Sequence, residues 1–139
     1  MPRLLRVKWF RQKSSFCGPA SLQMVLHYYG IKKSQKDLGI LTGCTVKEGT
    51  SLEQMLGAAR ALGMQASFKD YATLDDIRDY LKQGIPVIVD WFTDTSGHYS
   101  VVIGLDKKYI YLRNPLQRKT DVYSHSTFLR VWFDFKVEP

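Results

Sequence analysis

A cysteine that precedes Gly-Pro and opens a helical stretch is the residue best suited to chemistry in this sequence. Cys17 is followed by Gly18, Pro19 and a largely apolar segment. Proline is favoured in the first turn of a helix, where its missing N–H costs nothing, so Cys17 is predicted to lie at a helix N-terminus. The free N–H groups and the positive end of the helix dipole favour a thiolate there, and the thiolate is the nucleophilic form. The sequence therefore predicts that Cys17 is a nucleophile with a lowered pKa.

The second cysteine, Cys44, lies between Gly43 and Thr45 and has no comparable context, so we interpret it as a packing residue. Two cysteines are too few for a disulfide framework, and neither belongs to a CxxC motif. A disulfide between Cys17 and Cys44 is an alternative, but it would consume the residue with the strongest catalytic context.

A histidine at the start of an apolar strand is the candidate base. His98 follows Ser96-Gly97 and precedes a run of apolar residues, so its imidazole is expected at a strand end, where it can meet a helix start. An adjacent base activates a cysteine nucleophile. The other two histidines are weaker candidates, because His27 lies within the first predicted helix and His125 in a polar loop.

A catalytic base also needs a group that orients its ring, and Asn114 is the candidate. If the loop 106–108 joins two strands, Leu105 pairs with Tyr109, and Asn114 then lies diagonally across from His98 on the same face. A two-residue loop would place the two side chains on opposite faces. The triad therefore requires a three-residue loop, or a bulge with the same effect.

Gln12 precedes Cys17 by five residues. Its side-chain amide could donate a hydrogen bond to an oxyanion that forms over the thiol. Position alone slightly favours the alternative, a surface glutamine in a basic loop. The spacing of cysteine and histidine matches no zinc motif, and the sequence has no P-loop and no GxGxxG, so no metal and no cofactor are expected.

Helical signals occupy the first half of the chain. The first helix is predicted from about Cys17 to Tyr29, ending before Gly30, and it is apolar nearly all round, which is typical of a buried central helix. Three shorter helices are predicted at about 35–42 with Ser34 as N-cap, after a capping box at 50–53 and before Gly63, and after a second capping box at 73–76 and before Gly84.

Strand signals occupy the second half. Strands are predicted at 86–92, 98–105, 109–114 and 131–137, with a short helix at 124–130. Segregated helices and strands favour an α+β fold with a C-terminal antiparallel sheet. The face of the sheet that carries His98, Ser100, Val102 and Leu112 is expected to pack on the central helix.

The composition is that of one ordinary globular domain spanning residues 1–139, with 45% hydrophobic, 24% charged and 13% aromatic residues. The net charge of +7 is spread along the chain, so no specific nucleic-acid partner is expected; binding to arbitrary nucleic acid through this charge is an alternative. The N-terminus lacks a signal-peptide pattern and no segment reaches 18 apolar residues, so we expect a cytoplasmic chain without a membrane span.

Several segments together resemble the C39-like peptidases, which are papain-like cysteine peptidases. The similarity covers about residues 8–135 and rests on Gln12, the block Cys17–Leu26 that begins Cys-Gly-Pro-Ala-Ser, the strand Gly97–Gly104 that begins Gly-His-Tyr, and Asn114-Pro115. The resemblance implies a papain-like fold and hydrolysis of peptide bonds in a peptide or protein substrate. It also implies that Cys17 is the nucleophile, His98 the general base and acid, and Gln12 the oxyanion donor.

Two departures from the family pattern are visible. The third triad member is usually aspartate in an Asp-Pro pair, whereas this chain has Asn114-Pro115, and Gln12 lies one residue closer to Cys17 than is usual. An asparagine can orient a neutral imidazole but stabilises imidazolium less than a carboxylate does. Two alternatives stay open: an acyltransferase or amidase that uses the same residues, and a non-catalytic peptide-binding module.

Overall fold

The computed structural model describes residues 3–92 and 97–132. Its helices are α1 (Cys17–Tyr28), α2 (Gln35–Thr42), α3 (Leu52–Ala61), α4 (Leu74–Lys82) and α5 (His125–Val131). Its strands are β1 (Val87–Phe92), β2 (Gly97–Leu105), β3 (Tyr109–Arg113) and β4 (Asp121–Ser124). The four strands form one antiparallel sheet in the order β1-β2-β3-β4, so the α+β prediction is confirmed.

Local signals locate the helix ends well. α1 begins at Cys17 and is followed by Gly30 at φ +84°, and the Ser34 hydroxyl accepts the Asp37 N–H at the start of α2. The capping box of α3 was predicted at 50–53 but is formed by Ser51 and Gln54, one residue later. Thr50 lies before the helix, where its carbonyl oxygen accepts a hydrogen bond from the Tyr99 hydroxyl, with 3.1 Å between the two oxygen atoms.

The end of the chain differs from the prediction. No strand was predicted at β4, yet it pairs with β3 along its whole length. The strand predicted at 131–137 is wrong at its two described residues, since Val131 ends α5 and Trp132 is its C-cap, and residues 133–137 lie outside the described part of the chain.

A β-bulge sets the register between β2 and β3. Near the loop, Leu105 pairs with Ile110, so the predicted pairing of Leu105 with Tyr109 is wrong by one residue. The register shifts between Val102 and Gly104, and beyond that bulge Val102 pairs with Leu112. A single-residue shift exchanges the faces of all later side chains. The bulge therefore brings His98 and Asn114 to the same face, as the triad requires.

The two faces of the sheet pack on different helices. We call the face of Asp90, Tyr99, Val101 and Ile103 the α1 face, because Met24, Leu22 and Leu26 of α1 pack there. We call the face of Trp91, His98, Val102 and Leu112 the α4–α5 face, because Ile77 of α4 and Phe128 of α5 pack there.

The prediction that the His98 face packs on the central helix is thus wrong. Both rows of side chains on β2 are buried, including His98 and Ser100 in one of them, so alternation along the strand gave no preference between the two faces. No helix within the two described stretches is long and apolar enough to cross a membrane.

Candidate active site

The Cys17 thiol lies where α1 meets β2. Cys17 is the first residue of α1, is partly buried, and packs with Leu22, Met55 and Tyr99. Its sulfur accepts hydrogen bonds from the backbone N–H groups of Tyr99 and Gly18. Since Tyr99 follows His98 directly, the thiol lies against the peptide unit that joins the candidate base to its neighbour.

Gly18 allows this close approach. A Cβ on Gly18 would lie 2.9 Å from both Cβ and Oγ1 of Thr50 and 3.2 Å from the Met55 sulfur. Any larger residue would push the start of α3 away from the start of α1. Gly18 therefore keeps α1 and α3 in contact beside the thiol.

Burial raises the pKa of the Cys17 thiol above its ordinary value. The Tyr99 and Gly18 N–H groups oppose this rise, and the Asp90 carboxylate adds to it. The helix start alone predicted a lowered pKa; desolvation, which disfavours the charged thiolate, outweighs the backbone donors in the folded chain. The structure thus favours a neutral thiol until a base takes its proton.

His98 lies on the α4–α5 face at the beginning of β2. Its Nε2 is 2.8 Å from Asn114 Oδ1, and its ring packs edge-on against Trp91 with the centroids 5.9 Å apart. An amide oxygen only accepts, so Nε2 carries the proton in this hydrogen bond. In the neutral ring the lone pair is then on Nδ1. Burial lowers the pKa of His98, while the Asn114 hydrogen bond and the Asp121 carboxylate oppose that change.

Asn114 follows β3 and is buried, as is Asp121 at the start of β4. The Asn114 Nδ2 donates to Asp121 Oδ2 at 2.9 Å, and its Oδ1 accepts the Leu116 N–H at 2.9 Å. The Trp9 indole N–H donates to the Asn114 carbonyl oxygen at 2.8 Å. The orienting amide is therefore held at both ends of its side chain and at its backbone.

Sequence reasoning missed Asp121. The signal would have been the strand β4, whose first residue pairs with Leu112 of β3 and so returns a carboxylate to the end where Asn114 lies. That strand has only four residues, which is too short for a clear periodic pattern.

Gln12 lies in a loop tied to the same end of the sheet. Its backbone N–H donates to the Pro115 carbonyl oxygen at 2.9 Å, and Gln35 braces the loop through Lys13 and Arg11. Its side-chain Nε2 makes a long hydrogen bond of 3.4 Å to the Lys13 carbonyl oxygen. Its Oε1 is buried without a hydrogen-bond partner among the described residues. An oxyanion role for Gln12 stays a prediction.

The remaining candidates lie apart from this arrangement. Both Cys17 and Cys44 are free thiols, so the alternative of a disulfide between them is wrong. His27 packs edge-on against Phe10 at 5.4 Å, and His125 opens α5 rather than lying in a loop. Within 3–92 and 97–132, no cluster of histidine, cysteine or acidic residues has the arrangement of a metal site.

A groove of about 640 Å³ runs over the α1 face of the molecule between α1, α3, α4 and β1. Its lining is mainly apolar and includes Leu22, Met55, Phe68, Tyr80, Asp90 and Tyr99. Leu22, Met55 and Tyr99 belong to the core cluster against which Cys17 packs, so the groove and the thiol share this cluster.

Comparison with known proteins finds one family whose profile covers nearly the whole chain. The profile of the Peptidase_C39 like family matches residues 4–137. The lactococcin-A transport/processing ATP-binding protein LcnC of Lactococcus lactis is 31% identical over 118 residues, which are 84% of this chain but 16% of LcnC. The chain therefore corresponds to one part of that transporter and not to the whole.

Two solved structures share the fold closely. The peptidase domain of Streptococcus ComA, a bi-functional ABC transporter involved in quorum sensing, is 27% identical with a TM-score of 0.79, covering 92% of this chain and 93% of that one. A double glycine motif protease from an AMS/PCAT transporter, solved in complex with its leader peptide, is 26% identical with a TM-score of 0.78, covering 96% and 92%.

Proposed function

The chain belongs to the Peptidase_C39 like family, and from that premise we propose that it hydrolyses peptide bonds with Cys17 as nucleophile, His98 as general base and acid, and Asn114 as the residue that orients His98. The observation that supports this most is the hydrogen bond from His98 Nε2 to Asn114 Oδ1. It leaves the lone pair of the neutral ring on Nδ1, and the thiol is held at the next residue along the chain.

The electrostatics favour a proton transfer that occurs during the reaction. Burial raises the pKa of the Cys17 thiol and lowers that of His98, so both groups are neutral in the substrate-free protein near pH 7. His98 Nδ1 takes the proton from the sulfur as the sulfur attacks the substrate carbonyl carbon. The imidazolium and the developing negative charge then stabilise each other in a site that water enters poorly.

The later steps follow from the same groups. The oxyanion is held by the Cys17 backbone N–H, one of the first-turn amides that a helix leaves unpaired, and by the Gln12 side-chain amide after it releases Lys13. His98 returns its proton to the leaving amine as the C–N bond breaks, which leaves a thioester on Cys17. Water then attacks the thioester with His98 as base, giving a carboxylic acid and the free thiol.

The substrate we propose is a peptide whose apolar residues lie in the groove that shares a core cluster with Cys17. The related AMS/PCAT protease was solved in complex with its leader peptide, and the apolar lining of this groove suits a peptide segment with apolar side chains.

A test that needs no known substrate follows cysteine reactivity. The rate of iodoacetamide alkylation is measured for Cys17 and Cys44 against pH in the wild type, in His98→Ala and in the matched control His125→Ala. We expect His98→Ala to slow labelling of Cys17 near pH 7 and leave Cys44 unchanged, and His125→Ala to change neither. Equal Cys17 rates in all three proteins at every pH would mean that His98 is not its base.

Cleavage is then screened with a proteome-derived peptide library read by mass spectrometry. We expect peptide products from the wild type, none from Cys17→Ala, and a rate about 10²- to 10⁴-fold lower from His98→Ala, the range of general acid–base catalysis. Peptide binding by the wild type and Cys17→Ala without cleavage by either would favour a peptide-binding module instead. Products that carry an amine acceptor in place of water would favour an acyltransferase.

A further inference from the structure

A continuous chain of hydrogen bonds runs from a buried carboxylate to the candidate base. Asp121 Oδ2 accepts from Asn114 Nδ2 at 2.9 Å, and Asn114 Oδ1 lies 2.8 Å from His98 Nε2. All three residues are buried, with His98, Asn114 and Asp121 only 5%, 6% and 5% exposed. The carboxylate is thus connected to the imidazole through a single side-chain amide.

The carboxylate gives the amide a direction. A carboxylate only accepts hydrogen bonds, so it must face the NH₂ end of Asn114, which turns the amide oxygen toward His98. The Leu116 N–H, which also points at that oxygen, supports the same orientation. If the amide were reversed, its NH₂ would face Nε2 and favour the tautomer with the proton on Nδ1. Such a ring could not take a proton from Cys17 at that atom.

The carboxylate also costs stability where it lies. A buried charge is unfavourable unless it is paired or hydrogen-bonded. A buried carboxylate with only amide partners lowers the free energy of unfolding, because it loses its hydration without gaining an opposite charge. The Asp121 carboxylate accepts from Asn114 and from the Gln117 side-chain amide. Across the described residues, no lysine or arginine lies within ion-pair distance of it. A role beyond packing would account for its presence.

The position of the charge matches what the asparagine lacks. A carboxylate in the orienting position both orients the ring and stabilises imidazolium, whereas the amide of Asn114 can only orient it. Asp121 lies one hydrogen bond further from the ring, and its negative charge acts on His98 in the stabilising direction.

We propose that Asp121 is a positioning residue of this site, which acts through Asn114 to fix the proton of His98 on Nε2 and to stabilise the imidazolium form. This inference rests on the proposed function for its relevance to catalysis, but its effect on His98 is a property of the substrate-free protein. It is therefore testable whether or not a substrate is in hand.

The test combines Asp121→Asn with a charge exchange, Asn114→Asp/Asp121→Asn. Asp79→Asn on the exposed side of α4 is the matched control, because it removes the same charge away from the site. The His98 tautomer and pKa are read by imidazole ¹⁵N NMR during a pH titration, and thermal unfolding monitors the fold. Where cleavage is measurable, the acid limb of kcat/KM is compared.

In Asp121→Asn we expect the pKa of His98 to fall, a second tautomer to appear, and the acid limb of kcat/KM to move to lower pH. Activity should drop about tenfold for each unit by which the pKa falls. The exchange places a carboxylate directly on His98, so it should return the ring to one tautomer and raise its pKa above that of the wild type. Asp79→Asn should match the wild type.

The proposal is overturned if Asp121→Asn keeps the wild-type tautomer and pKa of His98. If Asp121→Asn does not fold, the exchange variant, which keeps every donor and acceptor paired, carries the test alone; an unchanged His98 pKa there overturns the proposal. An NMR response of His98 without any peptide cleavage by the wild type would uphold this inference and contradict the proposed peptidase activity.

Discussion

The two faces of the sheet hold the two halves of the candidate site in opposite environments. On the α1 face, the Cys17 thiol receives hydrogen bonds from backbone N–H groups, and an apolar groove opens beside it. On the α4–α5 face, His98 packs against Trp91 and is held by the hydrogen bonds that link it to the buried side chains of Asn114 and Asp121. This difference fits their roles, because the nucleophile must be reached by a substrate, whereas the base must be kept in one orientation.

The two residues are also positioned by different kinds of groups. Backbone donors hold the sulfur without relying on rotatable side chains, so the thiol stays in place while its surroundings admit a peptide. Side-chain amides and carboxylates on the other face can choose a tautomer, which backbone groups alone cannot do with equal selectivity.

The largest effect is expected from removing the cover of the base. Trp91 is 4% exposed, donates its indole N–H to Ser100 Oγ at 3.0 Å and packs on His98 and Tyr123. Trp91→Ala should lower the free energy of unfolding by about 3–5 kcal/mol, as for other buried aromatic truncations. Phe68→Ala, which truncates a half-exposed aromatic residue of the open groove, should change it far less. Chemical denaturation of both variants checks this, and equal losses would remove the contrast between the faces.

The next effect concerns the contact of α1 with α3. Gly18→Ala places a methyl group 2.9 Å from the Thr50 side chain, and such overpacking costs about 1–3 kcal/mol. Gly57→Ala is the matched control, since a Cβ there meets nothing within 4 Å inside α3. It should leave stability unchanged or raise it by up to about 1 kcal/mol, because alanine favours a helix over glycine. If Gly18→Ala leaves the free energy of unfolding unchanged, α3 can move without cost beside the thiol, which would contradict this prediction.

The free energy of unfolding is expected to depend on pH through His98. The pKa of His98 is lowered in the folded chain, chiefly by burial, so the unfolded chain binds a proton more readily below about pH 6.5. The neutral His98 therefore contributes stability above that pH, and the contribution is lost as the pH falls, at about 1.4 kcal/mol per unit of lowering. Denaturation of wild type and His98→Gln between pH 8 and pH 5, values chosen around that reference, should give curves that converge toward acid. A constant difference at every pH would contradict a buried neutral ring.

The smallest effect is expected at the open face. The exposed Asp90 carboxylate raises the pKa of Cys17, so Asp90→Asn should increase the thiolate fraction near pH 8. Because salt screens an exposed charge, we expect alkylation of Cys17 to rise only about twofold to fivefold. Asp79→Asn and the rate of Cys44 in the same sample serve as references. A slower Cys17 in Asp90→Asn would mean that this carboxylate supports the thiolate instead.

The helices and most of the candidate residues could be predicted from the sequence because their signals are local. The Gly-Pro after Cys17, the serine and threonine N-caps and the glycines that follow helix ends all act within a few residues. The roles assigned to Cys17, His98 and Asn114 needed only a helix start, a strand start and a parity argument. The structure then placed His98 and Asn114 in direct contact.

The failures all concern relations between distant segments. The pairing after Leu105 is shifted by one residue from the prediction, and only the bulge beside Val102 restored the expected faces. The choice of face for α1 was wrong because both rows of β2 are buried, so the helix that covers each row is decided by how the whole chain packs. The pKa of Cys17 moved in the unexpected direction because burial depends on neighbours contributed by α3 and β2.

By itself, the sequence determined the residue types of the site, the local element that carries each of them and the α+β class, since capping, periodicity and turn chemistry are short-range. The tertiary structure decided how these elements meet: that the thiol is buried, that its sulfur rests on the Tyr99 amide, and that a carboxylate seven residues after Asn114 returns to it. Desolvation and hydrogen bonding between distant segments exist only once the chain is packed. The directions in which the pKa values of Cys17 and His98 move therefore depend on the tertiary structure.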